Sequence, residues 1–177
     1  MADDKGAEEC AELSTMQHIG DGAQMLDQIV ALVAMTVLFH EFDRAELRIL
    51  ARFMKLYRVE KGQAILHEGQ RGDVFLLLVE GKVEVFKQDI RRRQKHIATV
   101  TPGQTVGEMA IVDGEPRSAT CITAEPCTFA VLRREDLVRL IDEHPRLGSK
   151  ILIQILELMG QRLRQTGGIL VNYLKVD

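Results

Sequence analysis

Val106-Gly107-Glu108-Met109-Ala110-Ile111-Val112-Asp113-Gly114-Glu115-Pro116-Arg117-Ser118-Ala119-Thr120 carries more of the reading than any other stretch of the chain. A glycine, an acid and small residues stand at one end. An arginine with small and hydroxyl-bearing residues stands at the other, and Asp113, Gly114 and Pro116 mark a turn between them. The pattern predicts a short helix opening at Gly107 to Ala110. The first N–H groups of a helix lack intrahelical partners and lie at the positive end of its dipole, so such an opening receives anions. Arg117, nine positions after Glu108, adds a guanidinium that forks onto phosphate oxygens. A carboxylate repels phosphate, so Glu108 takes another partner, and a sugar hydroxyl is the natural one. One segment thus offers sites for a phosphate and for a ribose. The plainer reading is a sandwich turn whose Arg117 pairs with Glu108 or Glu115.

Working outward, strand-like runs alternate with glycines at 62, 69, 72, 81, 103 and 107. The runs are about 63–67, 74–80, 82–87, 95–100, 119–124 and 127–133. Within one of them Val83, Val85 and Lys87 fall on one face and Lys82, Glu84 and Phe86 on the other, the period of two expected of a strand. Many short strands punctuated by glycine turns predict a sandwich or barrel. Arg91-Arg92-Arg93-Gln94-Lys95-His96 reads as a hairpin tip. It is either a solvated loop that keeps an edge from pairing or a docking patch for an acidic partner or nucleic acid.

Helical periodicity flanks this β region. Residues 1–23 are acidic and poor in apolar side chains, and read as mostly disordered with a short helix around 7–17. Met25, Leu26, Ile29, Leu32, Val33 and Val37 recur at helical spacing, and Asp43 with Glu46 forms a capping box for a second helix. The division expected is N-terminal helices over 24–55, a β-roll over 56–133 and C-terminal helices with an apolar tail over 134–177. Pro145 and Gly148 are expected to break the helical pattern, Ser149 to cap the last helix, and Gly167-Gly168 to end or kink it before the apolar tail Ile169 to Leu174.

Net charge is −3 and the pI about 6.0, so no basic field draws nucleic acid. No apolar run reaches the ~20 residues of a membrane span, and the acidic N-terminus is unlike a signal peptide. Three cysteines (Cys10, Cys121, Cys127) without such a signal predict free thiols in a reducing cytoplasm. A Cys121–Cys127 bridge across the turn at Ala124 to Pro126 is the geometric alternative. The five histidines lack metal-ligand spacing. No nucleophile–base pair and no cluster of His and Glu ligands stands out, so neither catalysis nor a cupin-type metal site is expected.

Gly107-Glu108-Met109-Ala110, six residues, then Arg117-Ser118-Ala119-Thr120 resembles the phosphate-binding cassette of cyclic nucleotide-binding domains. The spacing and the Gly114-x-Pro116-Arg117 ending are most similar to the kinase regulatory-subunit version, and the likeness covers about residues 38 to 165. The resemblance implies a mainly β fold, an eight-stranded jelly roll (double-stranded β-helix), with N-terminal helices and C-terminal hinge and lid or dimer helices. It implies Arg117 on the cyclic phosphate and Glu108 on the ribose 2′-hydroxyl. Gly107, Met109 and Ala110 would approach the ligand closely. Ser118 and Ala119 would sit beside the phosphate, where Ser118 can also favour guanine or simply start a strand. Val85 and Ile97 would wall the pocket.

The run Arg162 to Thr166 resembles the dimer helix of catabolite-activator proteins, where a Thr at the matching place reaches the purine amino group. Thr166 is therefore expected on the base, with Arg162 and Arg164 as rival caps and a water-facing Thr166 as the plain alternative. No helix-turn-helix domain fits in the ten residues beyond Gly167, so direct DNA binding is not expected. The function expected is a non-catalytic sensor of cyclic AMP, or of cyclic GMP, without cofactor or metal. It would signal to an unnamed effector protein through its C-terminal helix, with a homodimer through that helix as the assembly. The alternatives are a cyclic di-GMP-binding or ligand-free interaction module, or a regulator that works with a separate DNA-binding partner.

Overall fold

The computed structural model describes residues 12–21, 26–34 and 36–174. In chain order it runs β1 (Gln17–Asp21), α1 (Leu26–Ala34), a 3-10 turn (Val37–Phe39), α2 (Arg44–Arg52), β2 (Met54–Val59), β3 (Ala64–Leu66), β4 (Val74–Glu80), β5 (Val83–Gln88), β6 (Gln94–Val100), β7 (Thr105–Val106), α3 (Glu108–Asp113), β8 (Thr120–Thr123), β9 (Cys127–Arg133), α4 (Arg134–Glu143) and α5 (Pro145–Leu174). All strand pairs are antiparallel, in one sheet ordered β1-β2-β9-β4-β7 and another ordered β3-β8-β5-β6. β2 to β9 are the eight strands of a jelly roll, and β1 is a ninth at its edge.

The alternation of side chains along a strand explains why the central strands read as unbroken apolar runs. In β4, Val74, Leu76 and Leu78 pack into the roll interior, whereas Phe75 and Leu77 pack into a second core beneath the helices. β9 divides in the same way, with Cys127, Phe129 and Val131 inward and Ala130 and Leu132 outward. A strand covered on both faces has no solvent side to mark with polar residues. The outer core draws Ile29 and Val33 from α1, Leu47 and Leu50 from α2, Leu137 and Leu140 from α4, and Leu147, Ile151 and Ile155 from α5. Each buried Leu, Ile or Phe contributes about 1.5–3 kcal/mol, so the helices and the roll stand or fall together.

Local signals act where expected at α2. The Asp43 carboxylate accepts from the N–H of Ala45 and Glu46, and the Glu46 side chain accepts from Asp43 N–H, a complete capping box. At 89–93 the hairpin tip closes on Asp89, whose carboxylate accepts from the N–H of Arg91 and Arg93 and from Arg93 Nε.

Several expectations are corrected. Residues 12–21 are ordered: Leu13 and Met16 are buried in the roll core, and β1 pairs with β2. The rest of the segment, residues 1–11 and 22–23, lies outside the described residues, Cys10 included. Further on, Ser149 does not cap a helix. Its hydroxyl donates to Pro145 carbonyl oxygen one turn back, inside an α5 that starts at Pro145 and continues through Gly167-Gly168. Pro145 at the first helical position costs no hydrogen bond, because the N–H that proline lacks would have no helical partner there. Gly148 serves packing instead of breaking the chain. A Cβ there would stand 2.6 Å from Ile141 Cγ1 and 2.8 Å from Ile141 Cα, so glycine lets α5 close on α4. Of the tail Ile169 to Leu174 the backbone continues α5, and its side chains lie outside the described residues. No described helix is long and apolar enough to cross a membrane.

Candidate functional site

Gly107 and Gly114 bracket α3, both in left-handed conformation (φ 86° and 72°). A side chain at Gly107 would also collide, since its Cβ would lie 2.7 Å from both Arg117 Nη1 and the Val74 carbonyl oxygen. The glycine is thus required twice, by φ and by the approach of Arg117. Arg117 is 4% exposed. Its Nη1 donates to Gly107 carbonyl oxygen at 2.9 Å and its Nη2 to Val74 carbonyl oxygen at 2.9 Å. Its own backbone bonds to Gln70 and Gly69 in the β3–β4 connection, which fixes the root of the side chain. A buried guanidinium needs an anion beside it. That anion is Glu12, which takes Nε at 2.7 Å and Nη2 at 2.5 Å, with both side chains nearly inaccessible.

Glu108, 3% exposed in the first turn of α3, has a different partner. Arg162 of α5 reaches it through Nη1, and Nη2 of the same guanidinium donates to Thr105 carbonyl oxygen at 2.7 Å. Glu108 uses only one oxygen here. Its Oε2 is buried with no hydrogen-bond partner among the described residues, as are Thr105 Oγ1 two residues before Gly107 and Asp73 Oδ1 next to Val74. An orphaned buried acceptor costs about 1–3 kcal/mol, so Glu108 Oε2 has capacity for one more donor.

Arg117 meets Gly107, with Glu108 next to it and Ala110 buried on α3, and Glu108 and Arg117 do not pair: each charge has its own partner. Met109 is 44% exposed on α3 and receives the Ser118 hydroxyl at 3.8 Å. Ser118 carbonyl oxygen accepts from Lys87 Nζ at 2.7 Å, and Ala119 beside it is half-buried ahead of β8. Val85 on β5 is half-buried, opposite Cys121 of β8. Ile97 on β6 is 54% exposed. Thr166 is exposed, and its hydroxyl donates to Arg162 carbonyl oxygen one turn earlier, so in this state it serves its own helix. Gln165 and Arg162 instead face a groove of about 250 Å³ beside α5, lined also by His40, Gly103, Gln104 and Thr105.

Cys121 lies within reach of these charges. Burial pushes its thiol up to about 12, the Glu108 carboxylate adds to the rise, and Arg117 and Arg162 oppose it. Cys121 and Cys127 are both free and buried. Among the described residues no group of three or more His, Cys, Asp or Glu could hold a metal ion. Glu12 and the Val74 carbonyl were missed in the sequence. Glu12 is one of several acids in a polar segment, and nothing local marks the one that meets an arginine 105 positions away.

Comparison with known proteins finds relatives of this fold. Residues 56–144 match the family model of the cyclic nucleotide-binding domain. A solved cyclic nucleotide-binding domain from Methylobacillus flagellatus KT superposes with a TM-score of 0.81 at 34% identity, covering 92% of each chain. The cyclic AMP receptor protein of Thermus thermophilus is 27% identical over 72% of this chain and 57% of its own length. A cyclic nucleotide-gated potassium channel of Rhizobium etli is 32% identical over 73% of this chain and 35% of its own. The chain thus spans less than two thirds of these two curated relatives. With the family model matched over residues 56–144 and the roll and flanking helices in common with a solved member, the chain belongs to the cyclic nucleotide-binding domain family.

Proposed function

We propose that this protein is a non-catalytic sensor of a cyclic mononucleotide, cyclic AMP in preference to cyclic GMP, and that it signals to another protein through α5. The observation that carries the reading is the pairing, across Gly107, of a buried Arg117 fork with a buried Glu108 that keeps one oxygen unpartnered. Arg117 suits the cyclic phosphate, and Glu108 Oε2 suits the ribose 2′-hydroxyl. Arg162 ties Glu108 to α5, so a ligand that changes the first contact is felt by the helix. Thr166 lies one helical turn beyond Arg162, and release of its hydroxyl from that residue's carbonyl would let it accept from the 6-amino group of adenine, where guanine carries a carbonyl oxygen. An unpartnered apolar stripe on α5 supports a homodimer through that helix.

Calorimetric titration with cyclic AMP, cyclic GMP and cyclic di-GMP tests the reading. Arg117→Ala should lose about 2–5 kcal/mol of binding, as truncation of one side of a buried charge pair does, or roughly 30-fold to several thousand-fold. Glu108→Gln should weaken the ribonucleotide more than its 2′-deoxy analogue. Wild-type affinity in a folded Arg117→Ala protein, or equal losses for the two sugars, would remove these roles. Binding confined to cyclic GMP would change the ligand and keep the class.

A further inference from the structure

The anion that Arg117 holds belongs to the chain itself, and its manner of holding imitates a ligand. Glu12 takes the Nε–Nη2 edge of the guanidinium with both oxygens. That edge is the fork an arginine offers to two oxygens of a phosphate. The remaining contacts of Arg117 go to the carbonyls of Gly107 and Val74, so four of its five N–H groups are engaged and a bidentate anion finds no second fork. Gly72 keeps the space into which the carboxylate fits: a Cβ there would collide with both Glu12 oxygens and lie 2.5 Å from Arg117 Nη2. The carboxylate therefore occupies a built seat, not a surface encounter.

The segment that delivers Glu12 is held by two buried side chains and one strand pairing. Leu13 and Met16 anchor it in the roll core at 3% and 8% exposure, and a turn closed by Met16 N–H on Leu13 carbonyl oxygen joins them. β1 then adds to the outer edge of the sheet by pairing with β2 alone, with a bulge between His18 and Gly20 and with Gln17, His18 and Ile19 exposed. An edge strand with so little buried surface opens locally at small cost relative to the roll.

We propose that Glu12 is an internal competitor for the cyclic phosphate site. In the closed state its carboxylate sits on Arg117. A cyclic nucleotide takes the same fork and expels it. Residues 12–21 then loosen at the sheet edge, because the expelled carboxylate no longer ties them to Arg117 and β1 pairs with β2 alone. The inference rests on the nucleotide reading above. It adds a threshold to it: apparent affinity is the intrinsic affinity multiplied by the fraction of molecules whose latch is open. It also supplies an N-terminal output separate from α5.

The test is titration of the wild-type 177-residue chain, Glu12→Gln and Leu13→Ala with cyclic AMP and with cyclic GMP, together with hydrogen exchange of residues 12–21. Glu12→Gln removes the competing charge and keeps the shape. Leu13→Ala keeps the charge and loosens its anchor, and it carries the test if the first variant does not fold. Both should bind more tightly than wild type, by about tenfold if the latch is closed nine times in ten. In wild type, saturating nucleotide should speed exchange across 12–21 while the cassette becomes protected. Equal or weaker binding by the variants, or an N-terminal segment whose exchange does not change, overturns the competitor and makes Glu12 a positioning partner of Arg117. If neither wild type nor Glu12→Gln binds either nucleotide at millimolar concentration, the nucleotide reading itself fails and the latch fails with it.

Discussion

Arg117 and Glu108 each answer to a partner from outside the cassette, Glu12 in the first case and Arg162 in the second. Cys121 sits in the field of both pairs, and its thiol gives a direct residue-scale reading of that environment. Its proton is held up to about 12 in the folded protein, against an ordinary value of 9.0. As pH rises above 9.0 the unfolded chain loses this proton before the native one does. The native state then binds more protons, so stability is complete below that point and is lost as pH climbs towards the folded value. The slope is about 1.4 kcal/mol per pH unit for one thiol. Cys127, also raised by burial, adds in the same direction. Urea unfolding between pH 8 and 10.5 should show this decline, and Cys121→Ala should flatten it. An unchanged slope in the variant would assign the decline to other groups. The cassette residues were legible because Gly, Glu, small residues and Arg stand close in the chain and each type has one obvious use. Glu12 was not, because its meaning lies in a partner 105 positions away.

At the scale of elements, the strands announced themselves where glycine turns cut the chain and where side chains alternate in sequence, as in β5. β7, two residues long, offers too short a run for any period to show. The last helix misled for a different reason. Gly148 and Ser149 look like a boundary, yet the boundary is His144-Pro145, and Gly148 is small because α4 passes against it. This makes a paired prediction. Alanine is favoured over glycine in a helix by about 1 kcal/mol. At Gly148 the added methyl meets the backbone of Ile141, and overpacking of that kind costs roughly 1–3 kcal/mol. Gly148→Ala should therefore lower stability despite the better helix former. At Gly167 a Cβ would meet nothing within 4 Å, so Gly167→Ala should be neutral or stabilising. Chemical denaturation of the two variants checks this. Stabilisation by Gly148→Ala would mean that α4 and α5 are not pressed together there.

For the whole molecule, the question is what α5 does beyond its inner face. Leu147, Ile151 and Ile155 are buried in the outer core, whereas Ile153, Leu156 and Leu163 are 55%, 61% and 74% exposed. Ile153 and Leu156 are three apart, Leu163 follows seven later, and Gly160 falls between them in the same stripe. Such a narrow apolar stripe, with a glycine in it, suits the pairing proposed for this helix. Arg162 leaves the same helix to hold Glu108, so seam and site share one rigid element. A ligand that alters the Glu108–Arg162 contact biases the position of the seam, provided that it binds one position better than the other. Sedimentation should show a dimer, tightened by cyclic nucleotide, and Leu156→Glu with Leu163→Glu should return it to a monomer while the isolated site still binds. Hydrogen exchange across residues 149–168 should slow with ligand in wild type and much less in the double variant. A wild type that stays monomeric at high micromolar concentration with saturating ligand, with exchange in α5 unmoved, would leave the cassette as a binding site and take α5 out of the signal.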